Sequence, residues 1–146
     1  MKIAVQSAPF DLGAELKHFG TQDTGVGAVV SFTGVVRDDT GTLAAMEIEH
    51  YPGMTEAALT EIAEQACARW SLKDVTVIHR YGRLEPGAQI MMVATAAPHR
   101  KAAFEAADFL MDYLKSRAPF WKKEITADGA DWVAAKEADE TALKRW

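Results

Sequence analysis

The sequence predicts an α+β fold with mostly antiparallel strand pairing. Two observations carry this prediction: strand-type segments fall next to one another with only short turns between them, and two long segments have the apolar spacing of amphipathic helices. The resulting order is βα-ββ-α-ββ-α-β, which favours α+β over a doubly wound parallel sheet. The length of 146 residues is that of one ordinary domain, so we expect a single domain over 1–146.

The first part of the chain is predicted to contain one strand, one helix and a hairpin. Residues 2–6 alternate weakly and indicate a short strand, and the apolar residues of 11–19 have helical spacing. The valine- and glycine-rich segment 25–36 predicts a buried strand, and 43–51 alternates as a second strand. Because the polar turn 37–41 separates them, the two strands predict a hairpin.

The two long helices are predicted to begin near Thr55 and His99. For the first, Thr55 is a candidate N-cap, and a start one residue to either side fits equally well. This helix runs to about Trp70, with an apolar stripe at Leu59, Ile62, Ala63, Ala66, Cys67 and Trp70. The second runs to about Ser116, before Pro119 prevents its continuation.

The remaining segments are predicted as strands and a helical tail. Residues 75–81 indicate a strand with His79 on the same face as two valines, and the turn 84–87 follows. The continuous apolar run 89–97 is typical of a central strand buried on both faces. Residues 120–125 alternate as a strand, a turn follows at 128–129, and 132–146 has helical character.

Composition and charge exclude several classes of protein. Hydrophobic residues make up 49% and charged residues 25%, which is ordinary for a globular chain and argues against disorder. The single cysteine allows no intrachain disulfide, and no signal peptide or membrane span is present, so we expect a cytoplasmic protein. A net charge of -5 argues against a general nucleic-acid binder.

A local basic cluster offers the strongest candidate chemistry. The last turn of the second long helix holds Lys115, and Lys122 follows beyond the break at Pro119. A helix end followed by a returning strand can bring both ammonium groups to one pocket, where each disfavours the charge of the other and lowers its pKa. Such a lysine can act as nucleophile, base or acid. The alternative is that Lys115 only complements the helix dipole.

Other residues give weaker signals. His99 and Arg100 open a helix and could hold an anion, and Arg37 could clamp one beside a loop. His50 and His79 are interpreted as structural histidines, and Cys67 as a core residue. No metal-ligand spacing and no phosphate-binding glycine motif is present.

Several longer motifs resemble the large, catalytic subunit of molybdopterin synthase. They run in order from about residue 26 to the C-terminus: Phe32-Thr33-Gly34 with Val36-Arg37, Glu49-His50-Tyr51-Pro52-Gly53-Met54, Val77-Ile78-His79-Arg80, Ala97-Pro98-His99-Arg100, Met111-Asp112-Tyr113-Leu114-Lys115 and Arg117-Ala118-Pro119-Phe120-Trp121-Lys122. The resemblance implies an α/β-hammerhead-like core with an additional antiparallel β-sheet. It also implies an enzyme of molybdenum-cofactor biosynthesis.

The implied reaction is a sulfur transfer. The family converts cyclic pyranopterin monophosphate (precursor Z) to molybdopterin by installing two sulfurs. These come from the C-terminal thiocarboxylate of a small ubiquitin-like subunit, so no cofactor is needed. The resemblance further implies a homodimer of large subunits within a heterotetramer. Two alternatives from other classes are a non-catalytic adaptor that docks a ubiquitin-like sulfur carrier, and an α+β ligand-binding or regulatory dimer.

The resemblance assigns roles to individual residues. Lys115 and Lys122 match the catalytic lysines of the family. The residues matching anion and pterin-phosphate contacts, or lying beside them, are Arg37, His99, Arg100, Lys123 and Met111. We expect Phe32, Met111, Pro119 and Phe120 to line a slot for the glycine tail of the partner. Some members carry a basic residue in place of Val35, so that contact is either missing here or supplied by another residue.

Overall fold

Eight strands and four helices make up the computed structural model, which describes residues 1–146. In chain order they are β1 (Lys2–Gln6), α1 (Leu12–Lys17), β2 (Ala28–Val35), β3 (Leu43–His50), α2 (Met54–Trp70), β4 (Asp74–Arg80), β5 (Gly82–Leu84), β6 (Gln89–Ala97), α3 (Arg100–Ser116), β7 (Phe120–Thr126), β8 (Gly129–Trp132) and α4 (Glu137–Leu143). The predicted α+β class is confirmed. The short strands β5 and β8 were not predicted.

The strands form two four-stranded sheets. The first has the order β1-β4-β6-β2 and the second the order β5-β3-β7-β8. Only β1 and β4 pair in parallel, so the prediction of mostly antiparallel pairing is confirmed. The second sheet is wholly antiparallel, as the resemblance implied.

The predicted hairpin between residues 25–36 and 43–51 is wrong. Strand β2 pairs with β6 in the first sheet, whereas β3 pairs with β5 and β7 in the second. The chain changes sheets at Val36, which is buried and whose N–H donates to the Ala88 carbonyl over 2.9 Å. Local alternation identifies a strand but does not identify its partner, and here tertiary packing separates the two neighbours.

The prediction that β2 is buried is also wrong. Val29, Phe32 and Val35 are 45%, 43% and 49% exposed. Strand β2 is the outer strand of the first sheet, so one of its edges has no neighbouring strand. By contrast β6 lies between β4 and β2, and its residues from Ile90 to Ala97 are all buried, which confirms the predicted central strand.

Helix α2 begins earlier than predicted. Its N-cap is Gly53, whose N–H donates to the Glu56 carboxylate over 2.7 Å, and the predicted cap Thr55 lies inside the helix. The Thr55 hydroxyl is fully buried. It accepts the Tyr51 N–H over 2.9 Å and donates to the Pro119 carbonyl over 3.1 Å. Thr55 thus ties the start of α2 to the segment that leads into β7.

Helix α3 runs back along β6. Near the end of β6, the Thr95 hydroxyl donates to the carbonyl of Ala103 in the first turn of α3 over 2.7 Å. The C-terminal end of α3 therefore lies over the start of β6, where β2 ends and β4 ends. The main hydrophobic core lies between these helices and the sheets and includes Leu59, Ile62, Phe109 and Leu110. No helix combines the length and the apolar character that a membrane crossing requires.

Candidate functional site

Lys115 and Lys122 lie together at the C-terminal end of α3. Lys115 is exposed in the last turn of that helix, and Lys122 is half-buried in β7, opposite Ile48 of β3. Pro119 and the turn before it reverse the chain between them. The charge of Lys115 acts on Lys122, so the helix end and the returning strand bring the two side chains near one another. We call Lys115 and Lys122 the lysine pair.

The environment of Lys122 favours its uncharged form. Burial, and then the positive charge of Lys115, lower the pKa of Lys122 from 10.5 to about 8. The predicted effect between the two lysines is therefore present, but burial is the larger cause. At pH 7 about one Lys122 in ten is a free amine, so this group can both bind an anion and exchange a proton.

A neutral histidine lies beside the lysine pair. His79, at the end of β4, is only 4% exposed, and its ring stacks on Phe120 with centroids 3.7 Å apart. Burial, together with the charges of Lys122 and Lys115, lowers the pKa of His79 to about 4, although a hydrogen bond to the Arg80 carbonyl opposes this. His79 is therefore uncharged at neutral pH.

The C-terminal segment packs over the same region. The Val133 N–H donates to the Lys122 carbonyl over 2.7 Å, which holds the chain after β8 against β7. At the start of α4, Asp139 and Lys136 act on Lys122 with opposite signs: Asp139 raises its pKa and Lys136 lowers it. Lys136 is thus a third cation near the lysine pair.

Three ion pairs hold this segment against α3 and the residue that follows it. Arg117, immediately after α3, contacts Glu140 of α4 at 2.6 Å. Arg145 contacts both Asp108 and Asp112 of α3, at 3.0 Å and 2.5 Å. The C-terminal segment is therefore bound along the half of α3 that carries Lys115.

Arg37 and the predicted slot residues lie on β2, on α3 and on the segments that follow these two elements. Arg37 follows the end of β2, and its exposed guanidinium contacts Asp39 at 2.8 Å. Met111 precedes Lys115 by one helical turn and packs against the main core together with Phe120. Pro119 is fixed by Thr55, and Phe32 is exposed on β2. Their predicted roles in substrate and tail binding stay predictions.

Lys123 lies next to Lys122 in sequence but on the other face of β7, because side chains alternate along a strand. Its ammonium lies over the Trp132 ring, 4.4 Å from the ring centroid, and its cross-strand neighbours are Glu47 and Trp132. The structure therefore does not bring Lys123 into the lysine pair.

His99 and Arg100 lie at the opposite end of α3 from Lys115. His99 caps the helix, Arg100 is its first residue, and both side chains are exposed. Lys115 follows Arg100 by fifteen positions in the helix, which corresponds to about 22 Å along the axis. Within one chain these two predicted anion contacts do not join the lysine pair.

Other candidate groups lie outside the site. Cys67 packs against the core, and burial raises the pKa of its thiol, so the core interpretation is confirmed. No group of three or more His, Cys, Asp or Glu side chains is arranged to hold a metal ion. An open depression of about 550 Å³ lies along α4, lined by Glu137, Thr141 and Arg145 among others, and neither lysine borders it.

Sequence reasoning missed three residues near the lysine pair: His79, Lys136 and Asp139. The alternation of Val75, Val77 and His79 correctly predicted that His79 faces the interior. Nothing in that pattern indicated the stacking on Phe120, which lies 41 positions away in the chain. Lys136 and Asp139 reach Lys122 because the chain turns back after β7 and pairs as β8. The turn at 128–129 was predicted, but the strand that follows it was not.

Comparisons with known proteins agree with the earlier resemblance. The family model described as MoaE protein matches residues 5–117. A molybdopterin synthase catalytic subunit from Cereibacter sphaeroides is 67% identical over 146 residues, which cover all of both chains. The solved molybdopterin biosynthesis MoaE protein from Burkholderia ambifaria MC40-6 is 52% identical with a TM-score of 0.85, and the match covers 99% of this chain and 97% of that one.

A more distant structure shows the same fold. It belongs to a protein–protein complex of subunits 1 and 2 of molybdopterin-converting factor from Helicobacter pylori 26695. The match has a TM-score of 0.75 at 19% identity and covers 92% of this chain and 90% of that one.

Proposed function

Since the chain belongs to the MoaE family of molybdopterin synthase catalytic subunits, which transfer sulfur in molybdenum-cofactor biosynthesis, we propose that the lysine pair is its catalytic centre. The observation that carries the proposal is the half-buried Lys122, whose pKa is lowered to about 8 beside Lys115. Perturbed titrating groups of this kind concentrate at catalytic sites. The adaptor alternative gives no reason for such a pair.

The substrate in this proposal is the anionic precursor Z. The net charge of the chain is -5, so an anion must be drawn to a local basic region. The lysine pair, Arg37 and Lys136 supply positive charge at one end of the molecule. In this arrangement Lys122 binds the substrate and assists the opening of its cyclic phosphate.

Each sulfur transfer begins with the thiocarboxylate of the small subunit. Its sulfur forms a bond to a substrate carbon, and a carbon–oxygen bond of that carbon breaks. In one transfer the oxygen leaves with protons as water, and in the other it is an ester oxygen of the cyclic phosphate, which opens to a monoester that stays on the substrate. Water then cleaves the bond between the carbonyl carbon and the sulfur, which leaves a carboxylate on the carrier. We assign Lys115 to this step: its ammonium stabilises the charge that develops on the carbonyl oxygen and supplies or accepts the proton.

The partner in this proposal is the small ubiquitin-like subunit, whose glycine tail lies along Phe32, Met111, Pro119 and Phe120. Phe32 is exposed and available for contact, whereas Phe120 is fixed by His79 and Pro119 by Thr55. Because the partner supplies the sulfur, we propose that this chain needs no cofactor of its own. The single free thiol of Cys67 fits the cytoplasm, where we place the reaction.

We further propose that two copies of this chain form the centre of a heterotetramer and that His99 and Arg100 serve the site of the other copy. Two observations support this. These residues lie about 22 Å along α3 from Lys115 in their own chain. At the same end of the molecule, Val29 is 45% and Phe104 62% exposed, which is typical of a surface that a second copy covers.

Reconstitution of the reaction tests the catalytic role. The purified chain is mixed with precursor Z and a small subunit that carries a C-terminal thiocarboxylate, and the molybdopterin formed is measured. We expect Lys115→Ala to lower the rate on the order of 10²-fold or more. The matched control is Lys101→Ala, which removes an exposed lysine from the first turn of the same helix. Near-normal turnover in Lys115→Ala would show that the assignment is wrong.

Mixing two inactive variants tests the contribution across the dimer. Lys115→Ala and Arg100→Ala are unfolded together and refolded, so that half of the dimers contain one chain of each kind. If Arg100 acts on the other copy, one of the two sites in each mixed dimer is intact, and about a quarter of wild-type activity returns. If Arg100 acts within its own chain, no site is intact and no activity returns.

A further inference from the structure

His79 is held in place from two sides. Its Nδ1 lies 2.8 Å from the Arg80 carbonyl oxygen, which can only accept, so Nδ1 carries the proton and donates. One face of the ring stacks on Phe120, with centroids 3.7 Å apart and planes inclined by 18°. The ring is therefore fixed and lies flat against the first residue of β7, and its burial keeps it uncharged.

This contact lies where the two sheets meet. Strand β4 of the first sheet ends at Arg80, and β5 of the second sheet begins at Gly82. A second stack of a histidine on an aromatic ring lies beside it. His50 stacks on Tyr81 with centroids 4.1 Å apart, and His50 is the cross-strand neighbour of Phe120. Of the two histidines, His79 is deeply buried and His50 is not.

Phe120 and Lys122 lie on the same face of β7, because they are two residues apart in a strand. The plane formed by Phe120 and the His79 ring therefore adjoins the side chain of Lys122, and the charge of Lys122 acts on His79. A neutral plane at this position excludes water from one side of the ammonium without adding a further positive charge.

We propose that His79 is a positioning residue of the sulfur-transfer site: its neutral imidazole, held by the Arg80 carbonyl and stacked on Phe120, forms the floor that keeps water from the Lys122 ammonium. This inference rests on the proposed catalytic role of Lys122. It assigns His79 no contact with the substrate. If the proposal is right, the flat ring of His79 affects how readily Lys122 loses its proton, whereas the nitrogen atoms of the ring do not.

Three charged groups act on Lys122 in this arrangement. They are Lys115 from α3, and Asp139 and Lys136 from the start of α4. All three remain in place when the uncharged His79 is replaced. A change in the titration of Lys122 on replacing His79 therefore reports the loss of the floor rather than the loss of a charge.

The experiment measures the titration of Lys122 directly. The lysines of the full chain are reductively methylated with ¹³C, and the Lys122 resonance is assigned as the signal lost in Lys122→Arg. Its chemical shift is followed with pH in the wild type, His79→Ala, His79→Phe and the matched control His50→Ala. The pH–rate profile of molybdopterin formation is recorded for the same variants with the small subunit present.

We expect the wild-type Lys122 pKa of about 8 to be retained in His79→Phe, which keeps the stacked ring, and in His50→Ala. In His79→Ala we expect it to rise by about one unit toward the ordinary value, and the inflection of the rate profile to move with it. If His79→Ala does not fold, His79→Gln replaces it, with an expected rise of about half a unit.

Two results would overturn the proposal. One is an unchanged Lys122 titration in His79→Ala or His79→Gln, and the other is an equal rise in His50→Ala. Normal turnover in Lys122→Ala would instead refute the proposed catalytic role, while the titration would still decide whether His79 forms the floor.

Discussion

Gly27 lies so close to Pro98 that any side chain at this position must move the start of α3. A Cβ added at Gly27 would lie 2.2 Å from the Pro98 carbonyl oxygen, well inside the normal contact distance. The two backbones are also joined by the Gly27 N–H, which donates to the Ala97 carbonyl over 3.0 Å. We predict that Gly27→Ala displaces this backbone by about 1 Å and lowers the free energy of unfolding by about 3 kcal/mol, the upper part of the range for overpacking.

Thermal and urea unfolding measure this effect. A loss of about 3 kcal/mol corresponds to a fall of about 6–12 °C in Tm for a chain of this size. The matched control is Gly34→Ala in β2, the strand that begins directly after Gly27. There the nearest atom to an added Cβ is the Met91 Cγ at 3.4 Å, an ordinary contact. We expect the control to cost less than about 1 kcal/mol. Equal stability of the two variants would refute the reasoning.

Three further changes have expected outcomes. Thr55→Val leaves the Tyr51 N–H and the Pro119 carbonyl without a partner and should cost about 2 kcal/mol in urea unfolding, whereas Thr55→Ser should cost less. Trp146→Ala removes a ring that packs edge-on against two core aromatic rings and should lower the free energy of unfolding by about 3 kcal/mol. The pKa of His79 is about 4 in the folded chain and 6.5 in the unfolded chain, so as the pH falls a proton binds the unfolded chain before the folded one. The free energy of unfolding should therefore be unaffected by His79 above pH 6.5 and should fall by about 3 kcal/mol toward pH 4. His79→Phe should not show this loss.

Sequence patterns predicted the parts of the fold that are set locally. The continuous apolar run of β6 predicted a strand buried on both faces, and the structure agrees. The helical spacing of α3, its end before Pro119 and the return of the chain in β7 were enough to bring Lys115 and Lys122 together. These predictions succeed because a helix end, a turn and the next strand are determined by neighbouring residues.

The remaining features depend on contacts between distant parts of the chain. Alternation in β2 and β3 did not show that they belong to different sheets, since pairing depends on which strands already lie nearby. The stacking of His79 on Phe120 joins two strands from different sheets, and no single segment encodes it. By contrast, the separation of Arg100 from Lys115 follows from the predicted helix itself, which places the two residues at its opposite ends.

The most direct test of the account is a double-mutant cycle on the lysine pair, with molybdopterin formation measured in single turnovers. The account predicts that Lys115→Ala and Lys122→Ala each lower the rate on the order of 10²-fold, and that the double variant is little slower than the slower single variant, because the two residues act in one site. A double variant slower by the product of the two single effects, on the order of 10⁴-fold, would mean that the lysines act independently and would contradict the account.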